Sequence, residues 1–521
     1  MTSASSALPP DQAGPALASD EKDIAALAKG GRTNVAGFVL RLGARIPFLF
    51  IAGHLYGAAL VGRFAIAVVV VELAALIATL GLKRGLAQAL SSTDRPHNAV
   101  VADALTVALI VSLCASALLC AFPETMYPNS WITGLDRFFP LIILAPALSD
   151  VSLAALAYRH DVKASVTARA VVEPWTLSGA AYAFSFFTLR DGLILSYVAS
   201  MVAALIASIV PLVRSYGLPT GWSPQLRGLF ALARANAPLA GADALEWGSR
   251  NVDRLVLGVL FAPGVVGIYY MAQQVASLPQ KLKTSFDPIL GPVVTQSLAR
   301  RDFGAIARQV RQVAFWIIAA QLCLALMASI PRKAVMASIG PQFESGAAAM
   351  VFLLFAEVFA STGAVSESAL VYIARHRNLM ISAAMLAFQI GLSFALIFLI
   401  RGLGYPVNYQ AAGPAVALML SVALTSVIKS RLLGHLLGAS VSPWRWPLVW
   451  AALAAIVVGA AFTALPKRYE WVELAVGEPA IAGTYLFILW KWAFGPADRA
   501  LFKKKPPEAE PVLPNAGSAI P

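Results

Sequence analysis

Leu40–Thr79 reads LRLGARIPFLFIAGHLYGAALVGRFAIAVVVVELAALIAT, and Leu245–Thr284 reads LEWGSRNVDRLVLGVLFAPGVVGIYYMAQQVASLPQKLKT. Shifted by 205 positions without gaps, the two agree at Leu40/Leu245, Gly43/Gly248, Arg45/Arg250, Gly53/Gly258, Leu55/Leu260, Val61/Val266, Gly62/Gly267, Ala67/Ala272, Val70/Val275, Leu73/Leu278 and Thr79/Thr284. Phe64 also faces Tyr269. Two apolar segments share some letters by composition alone, but a shared Gly-x-Arg and a shared Val-Gly corner go further. A duplicated helical hairpin in a membrane protein points to a two-lobed transporter with its site between the lobes. The repeated arginine points to an anionic occupant.

The composition requires a membrane. Of 521 residues 59% are hydrophobic and 13% charged, and the mean hydropathy is +0.72. A soluble chain of this length needs more charge to cover its surface. Apolar stretches recur from Asn34 to Phe494 and read as about fourteen spans, so the expected class is an all-α integral membrane protein. The seventh span, Pro238–Leu260, and the eighth, Val265–Val293, are the most polar. An even number of helices between the copies predicts two parallel six-helix repeats around a central cavity, with two extra helices. The expected units are a tail at 1–30, lobes at 31–215 and 216–435, two further helices at 436–496, and a second tail at 497–521. Both tails are Ala- or Pro-rich and read as disordered.

Basic residues divide by side. One set of loops and tails holds roughly three times as many Lys and Arg as the other. The expected orientation places both termini in the cytoplasm, and the expected location is the inner membrane. The net charge of +13 comes largely from these loops, which excludes a nucleic-acid role. No loop is long enough for a catalytic domain, so an enzyme is not expected. Cys114, Cys120 and Cys323 lie in apolar segments without ligand spacing, so they read as core residues and neither metal nor cofactor is expected.

Intramembrane charge narrows the site. A charge at mid-membrane costs about 2.5–3.5 kcal/mol, so it faces protein or water. Asp243, Glu246, Arg250, Asp253 and Arg254 fall within an arc of about 100° on one helix. Facing lipid, that stripe would cost on the order of 10 kcal/mol. A network of internal ion pairs and a cavity lining both satisfy it. Gln273, Ser277, Gln280, Lys281, Thr284 and Asp287 form a second stripe, interrupted by Pro279 and Pro288, which permit bending. Arg41 and Arg45 share a face of the first span, and Arg45 is too deep to snorkel. Arg45 and Arg250 at matched depth can clamp a pyrophosphate through planar forks that stay charged when buried. The candidate substrate residues are therefore Arg45, Arg250, Arg41, Arg254, Lys281, Gln273 and Gln280, with Trp247, Trp175 and Gln274 for sugar contacts. Asp243, Glu246, Asp253, Glu72 and Glu173 are candidates for ion pairs or ion coupling.

Short motifs give a family likeness. They are Leu55-Tyr56-Gly57, Val61-Gly62-Arg63-Phe64, Leu80-Gly81-Leu82-Lys83-Arg84-Gly85, Asp253-Arg254-Leu255 with Leu257-Gly258, Val266-Gly267-Ile268-Tyr269, and Asp287-Pro288 through Pro292. In order and spacing, over about residues 30–490, the chain resembles the Wzx-type polysaccharide flippases. Their superfamily also holds the multidrug and toxic compound extruders and the lipid II flippases. The resemblance implies movement of an undecaprenyl-diphosphate-linked oligosaccharide across the inner membrane for surface polysaccharide synthesis. The implied partners are that lipid-linked substrate, membrane lipids, and a polysaccharide polymerase with its chain-length machinery. The alternative is a cation-coupled multidrug extruder of the same fold, whose pocket should be acidic or aromatic.

Overall fold

The computed structural model describes residues 43, 45–132, 134–219, 221–283, 297–298, 300–466 and 469–499. Arg41, Thr284, Asp287 and Pro288, the tail at 1–30, residues 500–521 of the second tail and the side chain of Lys281 lie outside the described residues. Among the described residues every regular element is helical. Fourteen helices match the expected spans. They are α1 (45–56), α2 (Gly57–Ala78), α4 (His97–Ala121), α5 (Leu144–Tyr158), α6 (Glu173–Phe184), α7 (Leu189–Tyr216), α8 (Leu226–Leu260), α9 (Pro263–Lys283), α10 (Phe303–Ser329), α12 (Ala347–Ile373), α13 (Arg375–Gly402), α14 (Val407–Leu437), α15 (Pro447–Thr463) and α16 (Glu478–Ile488). Two shorter helices, α3 (Leu82–Ser91) and α11 (Arg332–Ile339), run between spans. Eight described segments are long and apolar enough to cross a membrane on hydropathy alone, and one of these, Arg45–Ser91, contains both α1 and α2. The remainder are short, like α6 and α15, or polar, like α8 and α9.

Local chemistry sets the breaks. The last turn of α1, Ala52–Tyr56, is a π-helix, and the chain leaves it at Gly57 with φ +78°. A side chain there would be strained, whereas glycine is not. α3 is amphipathic, turning Leu82, Leu86 and Leu90 into a core with Val100, Val101, Leu156 and Leu212 while Lys83 and Arg84 stay exposed.

α5 and α7 pack together, as do α6 and α7, in the first lobe. α10, α12, α13 and α14 form the matching group in the second, and α15 and α16 pack as a pair against α10. The Tyr485 hydroxyl donates to the Ala319 carbonyl at 3.0 Å, fastening that pair to α10. The chain beyond them is also held. Asp498, 2% exposed, accepts from Trp316 Nε1 at 2.9 Å and pairs with Arg445 at 2.6 Å. The short helical turn Pro496–Arg499 carries this contact.

The helix that carries the seventh span begins well before it. α8 starts at Leu226 and continues for 35 residues, with Pro238 inside it. Leu229 joins the first lobe's core beside α3, while Gly248 and Gly258 lie against Leu386 and Ile66. One helix thus belongs to both lobes, with its proline between the two attachments.

The lobes meet where the repeated hairpins meet. A β-carbon on Gly62 would collide with the Pro263 carbonyl and come 2.7 Å from the Gly267 nitrogen. One on Gly267 would collide with the Ala58 carbonyl and come 2.7 Å from the Gly62 nitrogen. Ala58 and Pro263, like Gly62 and Gly267, are repeat equivalents, so the contact is reciprocal. Replacing Gly62 or Gly267 with Val forces two backbones apart. We expect a loss of about 1–3 kcal/mol, seen as a lower unfolding midpoint in detergent, whereas Gly179→Ala, with no atom near its β-position, leaves the midpoint unchanged.

Candidate functional site

Beside the glycine crossing the lobes are joined by side-chain amides. Asn129, in the loop after α4, donates to the carbonyls of Gly258 and Phe261 at 2.9 and 3.1 Å. Gln342, after α11, donates to the Gly53 carbonyl at 2.8 Å. Gly53 and Gly258 are repeat equivalents, so each lobe grips the same point on the other. The sequence reading missed both amides, since a lone loop Asn or Gln carries no pattern.

The opposite end of the junction, which carries α3 and the basic loops, is held by charge. Arg84 Nη2 donates to Glu246 Oε2 at 2.7 Å, and its Nε lies 2.9 Å from Asp243 Oδ1. Gly81, at φ +73°, and Gly85 let α3 approach the Asn236 segment of α8. Arg84 was not among the residues the sequence reading placed at the site. The only sequence signal for it was its place between the glycines of Gly81-Leu82-Lys83-Arg84-Gly85.

Between these ends lie the predicted cations. Arg250 is half exposed and bonds Glu246 Oε1 at 3.2 Å. Arg254 is buried, bonds Asn251, and lies over the Tyr270 ring at 5.6 Å. Arg45 is exposed on α1, within electrostatic reach of Glu72 and Tyr270. Glu72, on α2, is in turn within reach of Arg254 and of Arg169 and Glu173 on the first lobe's side. Arg45 and Arg254 thus gather around Glu72, while Arg250 pairs with Glu246 on α8.

The α8 stripe does not act as one surface. Asp253 turns into the second lobe, accepting from the Tyr269 hydroxyl at 2.5 Å and from Gln273 Nε2 at 3.3 Å. Gln273 also donates to the Arg250 carbonyl at 3.1 Å, so its amide hydrogens serve α8–α9 packing. Gln280 and Trp247 are half-buried, and Trp175 is exposed. Glu173 bonds Arg169 at 2.8 Å, and Arg169 also bonds Asp150, which lies 3.5 Å from Lys83. That series is a structural brace within the first lobe.

Arg63 is buried in α2. It bonds Asp136, lies 3.6 Å from Asp191 and sits over the Tyr127 ring at 4.9 Å. Burial, reinforced by the Asp136 carboxylate, holds the Tyr127 phenol well above its usual range. Hydropathy places a charge near a helix end; it does not reveal a buried partner. Cys114 is exposed rather than in the core, and all three thiols are free. Among the described residues no cluster suits a metal.

The chain matches the family described as polysaccharide biosynthesis protein over residues 59–344. It belongs to that family. No curated protein matches. Solved structures share the fold. The lipid II flippase MurJ in an inward closed conformation aligns at TM-score 0.66 and 10% identity, over 87% of this chain and 98% of that one. A multidrug-resistance MATE family transporter of the MOP superfamily, inward-facing, gives 0.59 and 13%, over 77% and 98%. A MOP superfamily transporter from Pyrococcus furiosus gives 0.54 and 13%, over 80% and 96%. The resemblance read from the sequence motifs is thereby met at the level of family and fold.

The buried pair also sets a stability test. Arg63→Ala leaves Asp136 buried without its main partner and should cost about 3–5 kcal/mol. The double variant Arg63→Met with Asp136→Leu should recover most of it, as read from unfolding midpoints in detergent.

Proposed function

We propose that this family member is a flippase that moves an undecaprenyl-diphosphate-linked oligosaccharide between membrane leaflets, with Arg45 and Arg250 engaging the diphosphate. The observation that carries this reading is the pair itself. Two guanidiniums stand at repeat-equivalent positions, one per lobe, and both side chains are exposed, Arg45 within reach of Glu72 and Arg250 paired with Glu246. A lipid-linked sugar has a tail that remains in lipid, but its diphosphate and glycan are excluded from the bilayer core. Guanidinium forks replace the water on phosphate oxygens, while half-buried Gln280 and Trp247 suit sugar hydroxyls and ring faces.

The basic end then faces the cytoplasm of an inner-membrane protein with both termini inside, and the amide-sealed end faces outward. Surface-polysaccharide synthesis, including O-antigen lipopolysaccharide or exopolysaccharide, would supply the glycan and a polymerase with its chain-length machinery as the next consumer. Transport of this kind breaks no covalent bond and needs no cofactor. The carboxylates near the cations, Glu72, Asp243 and Glu246, support a second reading, a cation-coupled extruder of the same fold.

Arg45→Ala or Arg250→Ala should reduce export at least tenfold with normal insertion. The Lys variants should recover only part, because ammonium keeps the charge but loses the fork. The measurement is surface polysaccharide together with lipid-linked repeat units retained on the inner leaflet. Full export by the double Ala variant at normal protein level would refute the clamp. Drug efflux by the wild type, with unchanged polysaccharide in a deletion strain, would favour the extruder.

A further inference from the structure

We infer that Glu246 makes closure of the basic end depend on occupancy of the anion site, by dividing one carboxylate between a lobe-to-lobe contact and a substrate-binding arginine. This rests on the proposal that Arg250 receives the diphosphate. Glu246 Oε2 accepts from Arg84 Nη2 at 2.7 Å, and Glu246 Oε1 accepts from Arg250 Nη2 at 3.2 Å. Arg84 belongs to α3 of the first lobe. Arg250 lies one turn further along α8 from Glu246, toward the glycine crossing. Asp243, one turn the other way, lies 2.9 Å from Arg84 Nε.

The consequence follows from competition. A diphosphate offers Arg250 more charge and a better-matched planar acceptor than one carboxylate oxygen. Once Arg250 turns to it, Glu246 is relieved of one competing cation and its bond to Arg84 strengthens. Arg84, also beside Asp243, is then held more firmly, and α3 is drawn to α8. The loaded protein is therefore held more tightly at the basic end than the empty one. The side chains of Arg84, Glu246 and Arg250 are 55, 51 and 41% exposed, so each pair is weak and reversible. Neither arginine alone explains the arrangement. A purely structural α3–α8 bridge needs only Asp243, and a purely structural α8 pair needs no contact with α3.

The test uses full-length protein in nanodiscs, with Cys114, Cys120 and Cys323 replaced by Ser and spin labels at Lys163→Cys and Arg377→Cys. Both labelled positions are exposed, one in each lobe at the basic end. The probe is undecaprenyl diphosphate, its binding measured with radiolabel and the inter-lobe distance by double electron–electron resonance. In the wild-type background, binding should shift the distances shorter. Glu246→Gln should bind the probe tighter, by up to about fivefold because one exposed competitor is gone, yet show no shift. Arg84→Gln should bind more weakly than the wild type, because Glu246 is left to Arg250 and the coupled closure is lost, and should also show no shift. A full shift in either variant, or weaker binding by Glu246→Gln, overturns the inference. Binding by the wild type without a shift overturns it while leaving the diphosphate site standing. No binding by the wild type overturns the site and the inference together.

Discussion

Helices α2 and α9 touch backbone to backbone, and the rest of the junction is set by that contact. In lipid there is no hydrophobic force between helices, so association depends on close packing and interhelical hydrogen bonds. Ala58-x-x-x-Gly62 and Pro263-x-x-x-Gly267 supply the small surfaces, and each copy receives the other at the equivalent position. Such a contact is self-complementary in the manner of a two-fold interface. It fixes the two hairpins relative to each other. Arg45 and Arg250 precede Gly53 and Gly258 by eight residues each, a helical distance of about 12 Å. Their matched placement is thus a consequence of the crossing rather than a separate feature.

What the sequence revealed follows from this geometry. The crossing tolerates no β-carbon, so glycine had to appear twice at the same offset, and the repeat was visible. The intramembrane arginines were visible because charge is rare there. What stayed hidden was partnership. Helical periodicity places Asp243, Glu246, Arg250, Asp253 and Arg254 on one side of α8 but says nothing of what that side meets. α8 spans both lobes, and small rotations along it send Asp253 to Tyr269 and Asp243 to Arg84. Arg84 and Arg63 both resembled ordinary interfacial charges. One bridges the lobes and the other is buried against Asp136. Counting charge by loop cannot separate these cases, because the deciding carboxylates are distant in sequence.

The cations of the junction are accompanied by carboxylates. Arg250 has Glu246, Arg84 has Asp243 and Glu246, and Glu72 lies within reach of Arg254 and Arg45. This tempers the expectation of a simply cationic cavity. It also has a physical reason. Uncompensated intramembrane arginines would make the empty protein costly to insert, and a buried charge without a partner is strongly destabilising. On the proposed function, an anion arriving here would exchange with carboxylates already present. Such exchange would keep net affinity moderate, as a carrier that must release what it binds requires.

The two ends of the junction are built from different chemistry, and the difference bears on direction. One end is closed by backbone contact and amide-to-carbonyl hydrogen bonds, which require close fit and lose strength abruptly when the surfaces part. The other is closed in part by half-exposed ion pairs, each worth at most about 1 kcal/mol because water competes for both members. On the proposed function, the second end would be the easier to open without substrate, and the empty carrier would open preferentially on its basic side. If loading strengthens that side through Glu246, the relative ease of the two ends is altered by the cargo itself. Alternating access requires such a dependence, since a ligand shifts a conformational equilibrium only by binding the states unequally. On the inference above, Arg84, Glu246 and Arg250 would supply the unequal binding with three side chains.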